Sequence, residues 1–237
     1  MEDFILSNEE RKRIFNVLSE HKKLQFNKIA DLIDIRSNKL SYQLNLMVEK
    51  GFVVRVDEGS EGYMLSLEAQ RLIPYFSQIF KKEVGVLPVV LGIVRKGSKI
   101  LLIQRKKMPY KGYWGLFGGK QINGETIAQT IEREVFEESR LAARYVKTNG
   151  VVYERLREER VFKHSFLLII TTLAADSSIA MEQDEGKVAW FEYEDVVLGK
   201  VEKLIPSDVE FLRKYSVKEI EIEHIIMEEE EEKLTMG

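Results

Sequence analysis

Cysteine is absent from the 237 residues, which excludes disulfides and thiolate metal sites and favours an intracellular compartment. The three histidines, His21, His164 and His224, are scattered and form no metal-ligand spacing. No apolar run approaches membrane-spanning length, and the longest, around residues 166–175, holds two threonines. The start, Met-Glu-Asp-Phe, lacks the basic residues of a secretory signal. These absences together predict a cytoplasmic protein with no membrane partner. Neither sign of charge dominates: the net charge is −3 although 32% of residues are charged, which implies a well-solvated surface. An apolar content of 44% with 10% aromatics supplies a core for one large or two small domains.

The most informative stretch is 119–141, a glycine loop followed by a helix-forming run. At about 100° per residue, Glu134, Glu137 and Glu138 fall within a sector of roughly 100° on one helix side. Ile127, Ala128, Ile131 and Val135 form the neighbouring apolar stripe, so the acids are expected at its edge. Like charges four residues apart, as in Glu134 and Glu138, cost a few tenths of a kcal/mol even in water. Partial burial deepens that cost unless a hard divalent cation takes oxygen ligands from the cluster. The pattern predicts a site for Mg2+ or Mn2+.

This segment resembles the Nudix hydrolase signature, G-x5-E-x7-R-E-U-x-E-E-x-G-U, in which U is a bulky aliphatic. Gly119, Glu125, Arg133, Glu134, Val135, Glu137, Glu138 and Leu141 match at the required spacing. Arg140 stands where the family has its last glycine, and Phe117 where a proline is usual in the strand leading into the box. The resemblance implies an α/β fold, a Nudix α/β/α sandwich with a mixed sheet. It also implies metal-dependent hydrolysis of a nucleoside diphosphate linked to another group. Glu137 and Glu138 would be ligands, with Glu134 a ligand or the group that orients or deprotonates water. Arg133 would pair with Glu125 and hold the loop to the helix. Gly118, Gly119, Lys120 and Arg105 would contact phosphates. If the family's glycine serves a left-handed backbone, Arg140 costs roughly 1–2 kcal/mol there; otherwise the helix end shifts.

Residues 1–82 read as a separate module from 83–237. Three amphipathic helices are predicted around Ile14, Phe15, Val17 and Leu18, around Phe26, Ile29, Ala30 and Ile33, and around Leu40, Leu44, Leu46, Met47 and Val48. Ser37 is expected to cap the third helix at its start and Gly51 to close it. Short strands at 52–56 and 63–67 flank a polar turn, and a helix over 68–80 follows. This order resembles the winged helix-turn-helix of small prokaryotic regulators, an α+β domain. By that resemblance Ser37, Asn38, Lys39, Ser41, Tyr42 and Asn45 would meet base edges in double-stranded DNA, with Arg55 on the ribbon. Residues 22–55 carry seven basic and three acidic side chains, a local excess that suits phosphates. Over 1–80, however, eleven basic residues meet twelve acidic ones, and Asp57, Glu58 and Glu61 at the turn would repel DNA. The alternative is a module for dimerisation or protein contact.

In the second module, strands are expected at 86–94, 100–104, 145–153, 161–173 and 188–193. Helices are expected at 194–198 and 206–215. The alternating run 217–227 suggests a strand that pairs with a partner subunit, and 228–232 a frayed acidic tail. Asp184, Glu185, Glu158 and Glu159 are candidates for a further carboxylate at the metal, with Glu185 preferred because it precedes a strand. Trp114 and Trp190 are assigned to core packing. Two functions suit this organisation. One is a hydrolase with an attached regulatory module; the other is a homodimeric transcriptional regulator that senses a nucleotide such as ADP-ribose.

Overall fold

The computed structural model describes residues 4–5, 7–56, 62–73, 75, 85–107, 109–177, 179–224, 227–230 and 233–236. Two compact units emerge, Met1–Gly85 and Val86–Gly237; the expected 82/83 boundary lies outside the described residues.

The first unit opens with three helices, α1 (Glu9–Ser19), α2 (Phe26–Ile33) and α3 (Ser37–Glu49). Asn8 caps α1 by accepting the Arg11 N–H at 3.0 Å. Each helix turns an apolar stripe inward: Ile14, Phe15 and Leu18; Ile29 and Ile33; Leu40, Leu44 and Met47. Their core is closed by the antiparallel ribbon β1 (Val53–Val56) and β2 (Gly62–Leu65), through Val53, Tyr63 and Leu65. Tyr63 also exchanges both backbone hydrogen bonds with Leu24, at 3.0 and 2.8 Å, which fastens the ribbon to the α1–α2 connection.

Two details depart from expectation. Arg36, not Ser37, occupies the cap of α3, and no side chain caps that end. Helix α4 is a single turn, Leu67–Gln70, capped by Ser66, followed by a turn at 71–72 and helical backbone again at Ile73 and Tyr75; residues 74 and 76–80 of the expected helix and the turn acids Asp57, Glu58 and Glu61 lie outside the described residues. Gly51 does follow α3 with φ of 75°, a left-handed backbone suited to glycine.

The second unit is built on a seven-stranded mixed sheet. Its strands are β3 (Leu87–Lys96), β4 (Lys99–Arg105), β5 (Trp114–Gly115), β6 (Phe117–Gly119), β7 (Ala143–Glu158), β8 (Val161–Ala175) and β9 (Gly186–Glu192). Strands β3 and β8 run parallel, and every other pairing in the sheet is antiparallel. Near their shared turn β3 and β4 pair directly, over Val94–Lys96 with Lys99–Leu101. Beyond that they part. Segment 114–119 fills the gap, β5 on β4 and β6 on β3.

Helix α5 (Ile127–Ser139) covers one sheet face through Ile127, Ile131 and Val135, packed on Val90, Val94 and Leu173. Gly92 permits this approach, since a Cβ there would lie 2.8 Å from side-chain atoms of both Ile131 and Leu173. The short α6 (Tyr193–Val197) and α7 (Pro206–Tyr215) cover the other face through Val196, Phe211 and Leu212. Helices on both sides of a mixed sheet make the α/β/α sandwich.

Strands β7 and β8 run longer than their apolar cores suggested. Cross-strand pairing carries them through the charged residues 154–158, leaving Glu159 and Arg160 as the turn. The run after α7 is not a strand over 217–224: Ile220 donates one backbone bond to Thr148, within the chain, and residues 225–226 lie outside the described residues. Of the expected acidic tail, residues 228–230 are in a strand, and 231–232 lie outside the described residues. Strands β10 (Met227–Glu230) and β11 (Lys233–Met236) pair antiparallel.

Candidate active site

Helix α5 begins at a capping box in which Gln129 N–H donates to Thr126 Oγ1 and Thr126 N–H to Gln129 Oε1. The box fixes where the helix starts, and the packing of Ile131 and Val135 on the sheet sets where the acids point. Glu138 falls on the buried stripe itself, three residues beyond Val135, and is only 6% exposed. Glu134 lies at the stripe's edge, and Glu137 is turned outward with its side chain 56% exposed. The expectation that all three acids share the edge is thus corrected: they form a gradient from core to solvent.

Glu134 reaches the glycine strand. A Cβ on Gly119 would sit 2.2 Å from the Glu134 carboxylate, so only glycine leaves that carboxylate its place. Arg133 organises the other acids. Its Nε and Nη2 grip Glu125 at 2.7 and 3.0 Å, while Nη1 meets Glu134 at 2.7 Å and Glu137 at 3.2 Å. Nη2 also donates to the Lys120 carbonyl at 3.2 Å, tying the loop to the helix. Glu125 accepts further bonds from Thr130 Oγ1 and Ile122 N–H. Those bonds, Arg133's above all, hold the Glu125 carboxyl down to about 2. In turn Glu125 first, and then Glu134, raise the Arg133 guanidinium above its ordinary value.

Glu138 is the opposite case. Burial, then the charges of Glu134 and Glu185, push its carboxyl up to about 8, against the pull of Arg105 and the Gly118 N–H. Glu134 is also raised, chiefly by burial and against Arg133, with Glu137 and Glu185 adding to the rise. Glu185, the preferred outside carboxylate, therefore acts on both box acids; Lys107 holds it at 3.3 Å. Glu159 sits instead at the β7–β8 turn, and the Glu158 side chain lies outside the described residues. Lys106 donates to the Gln183 carbonyl and Lys107 pairs with Glu185.

The donor set fits a hard divalent cation. Glu138 Oε2 is buried with no hydrogen-bond partner, a costly state that a cation relieves. Among the described residues no three His, Cys, Asp or Glu side chains already converge on one point, because Arg133 draws Glu134 and Glu137 to itself.

Arg140 ends α5 with φ of 55° and ψ of 14°, its N–H bonded to the Phe136 carbonyl. The helix end has not shifted; arginine takes the left-handed conformation outright. Its guanidinium lies over the Phe136 ring and donates to Gln183 at 3.3 Å.

Beside the box, a pocket of about 250 Å3 is lined by Gly118, Gly119, Lys120 and Arg105, and by an apolar wall that includes Val89, Leu91, Phe166 and Leu168. Its acids, Asp208 and Glu154, and its Tyr110 escaped the sequence reading. Asp208 resembles any acid in a helix first turn, and 92 residues separate it from Leu116, whose N–H it accepts at 2.7 Å. Burial first, and then Glu154, push its carboxyl up to about 7. Tyr110, with φ of 66°, donates to Glu154 at 2.9 Å. A larger groove of about 560 Å3, lined by Lys147, Glu219 and His224, includes none of the box acids. Trp114 packs edge-on against Phe191 at 5.0 Å, as expected of a core residue.

The NUDIX domain model matches residues 86–215, more than half of the chain. The chain belongs to the Nudix family. An ADP-ribose pyrophosphatase of Methanocaldococcus jannaschii is 34% identical over 100 residues, 42% of this chain and 57% of that one. The NAD-capped RNA hydrolase NudC of Pectobacterium carotovorum subsp. carotovorum is 30% identical over 115 residues, 47% of this chain and 40% of that one. The chain thus matches about half the length of these curated Nudix relatives. The crystal structure of a MutT protein from Methanosarcina mazei Go1 aligns with a TM-score of 0.49 at 21% identity, covering 56% of this chain and 95% of that one.

Proposed function

We propose that this Nudix chain hydrolyses the diphosphate linkage of a nucleoside diphosphate joined to another group, using Mg2+ or Mn2+. The observation that carries the reading is the buried, unpartnered Glu138 Oε2 beside Glu134 and the glycine strand. Glu134, Glu137 and Glu138 would hold the cation, with Glu185 as a further carboxylate. The bound cation would supply charge neutralisation on the phosphates and activate water. Arg133 keeps Glu134 oriented, and Glu134 would orient or deprotonate the attacking water. Gly118, Gly119 and Lys120 let the backbone approach phosphate, and Arg105 offers a guanidinium between the Glu138 and Asp208 ends.

ADP-ribose is the first substrate to try, given the pyrophosphatase relative. Release of AMP from ADP-ribose and NAD, and of the matching monophosphate from each nucleoside triphosphate, is measured by chromatography with either cation. Hydrolysis that Glu138→Gln lowers at least ~100-fold is expected; none on any of them, or a fully active variant, refutes the proposal.

We further propose that the first unit is a winged helix-turn-helix that binds double-stranded DNA as a homodimer. Ser37, Asn38, Ser41, Tyr42 and Asn45 all lie exposed on α3, which supports a face free for contact. Lys39 is exposed too but engages Glu10, and Arg55 rests against Tyr63, so their charges are partly committed. Selection of bound sequences from random DNA tests this; recovery of no preferred sequence counts against it.

A further inference from the structure

Arg140 is the residue at which this chain parts from the Nudix signature, and it holds a left-handed backbone that glycine takes without strain. Strain of this kind persists where surrounding contacts hold it, and it gathers at functional sites. The Arg140 side chain reaches out of the box altogether. Its Nε donates to Gln183 Oε1 at 3.3 Å, and its guanidinium crosses the Phe136 ring.

Gln183 is the hub of the segment that leads to Glu185. Its Nε2 donates to the Glu182 carbonyl at 2.8 Å. Its own carbonyl accepts from Lys106 Nζ at 2.9 Å and from the Gly186 N–H at 3.3 Å. Beside Arg140, the Ser139 carbonyl accepts the Met181 N–H at 2.8 Å. Residues 181–186 are thus pinned on one side to the end of α5. On the other side they are pinned just past β4, where the Lys106 N–H reaches the Glu185 carbonyl at 3.1 Å. Held there, the Glu185 charge acts on both Glu134 and Glu138.

We propose that Arg140, through Gln183, is a positioning residue for Glu185, fixing the 181–186 segment so that this carboxylate joins the cation site of the box. A glycine at this position would end the helix with less strain and leave the tie to Gln183 unmade. Groups that bond to the support of a metal-binding carboxylate set its orientation, and their loss weakens the metal.

The inference rests on the cation-dependent hydrolase reading, and cation binding measured without turnover separates the two. Mn2+ affinity of the full chain is read by electron paramagnetic resonance, with the melting temperature of every variant recorded alongside. Arg140→Gly and Gln183→Leu should each weaken Mn2+ at least ~5-fold. In a Glu185→Gln background both losses should shrink below about twofold, because the tie then has no carboxylate to place. A contact that only braced the fold would weaken Mn2+ equally in either background. An affinity that either variant leaves unchanged, or losses that persist without the Glu185 carboxylate, overturn the assignment while the box reading stands. A parent chain that binds no Mn2+ overturns the underlying reading as well.

Discussion

Replacing Glu138 by glutamine should make the cation-free protein more stable, by a margin that grows as pH rises from about 5 to 8. The Glu138 carboxyl is held at about 8 in the fold against an ordinary 4.5. The folded state therefore binds a proton more tightly than the unfolded chain. Stability from this group is fully present below pH 4.5 and is lost as pH rises to about 8. A rise of about 3.5 units at 1.36 kcal/mol each sets an upper bound of about 5 kcal/mol. Glutamine carries no charge to bury, so the variant escapes that loss. Its advantage over the parent should be near zero at pH 5 and reach a few kcal/mol at pH 8. For a domain of this size that is roughly 5–15 °C in melting temperature. Thermal unfolding with EDTA at pH 5, 6, 7 and 8 measures it, following the transition of the second unit. Magnesium should reverse the ranking at pH 8, because it stabilises the parent by binding the ionised acid and has lost a ligand in the variant. A difference between the two proteins that does not change with pH refutes the burial argument.

The remaining predictions use other parts of the box. Gly119→Ala should lower kcat at least ~100-fold with an unchanged circular dichroism spectrum, because its Cβ would displace the Glu134 carboxylate; full activity contradicts the geometry. Arg133→Lys keeps the charge but loses the two-pronged grip on Glu125, and a 10-fold or greater loss of kcat at similar KM is expected. Arg140→Gly should stabilise the protein by about 1 kcal/mol in urea unfolding, since glycine takes the left-handed backbone freely; a less stable variant would show that the Gln183 and Phe136 contacts outweigh the strain.

What could be read from the sequence was what lies within one or two helical turns. Glu134, Glu137, Glu138 and their clamp Arg133 share a helix, so spacing set their common side, while the Arg133–Glu125 pair was implied by the family resemblance. How deeply each acid is buried was not legible, because it depends on how α5 rolls against β3. The left-handed Arg140 was one of two stated outcomes, and only backbone geometry could choose. Longer-range partners left no local trace. Asp208, Tyr110 and Glu154 come from three different elements, and each looks like an ordinary surface residue in its own window. The long β7–β8 ladder misled for a related reason: charged residues at its outer end are held by pairing across strands, which periodicity along one strand does not report.

The parting of β3 from β4 has a consequence for how such a protein changes over time. The glycines of β6 are wedged inside the sheet, gripped by β3, whereas the stretch bearing Tyr110 loops out between β4 and β5. Insertions or replacements in that outlying stretch leave the wedge in register. Substrate preference can therefore drift through the loop while the bond-breaking machinery stays where the sheet puts it.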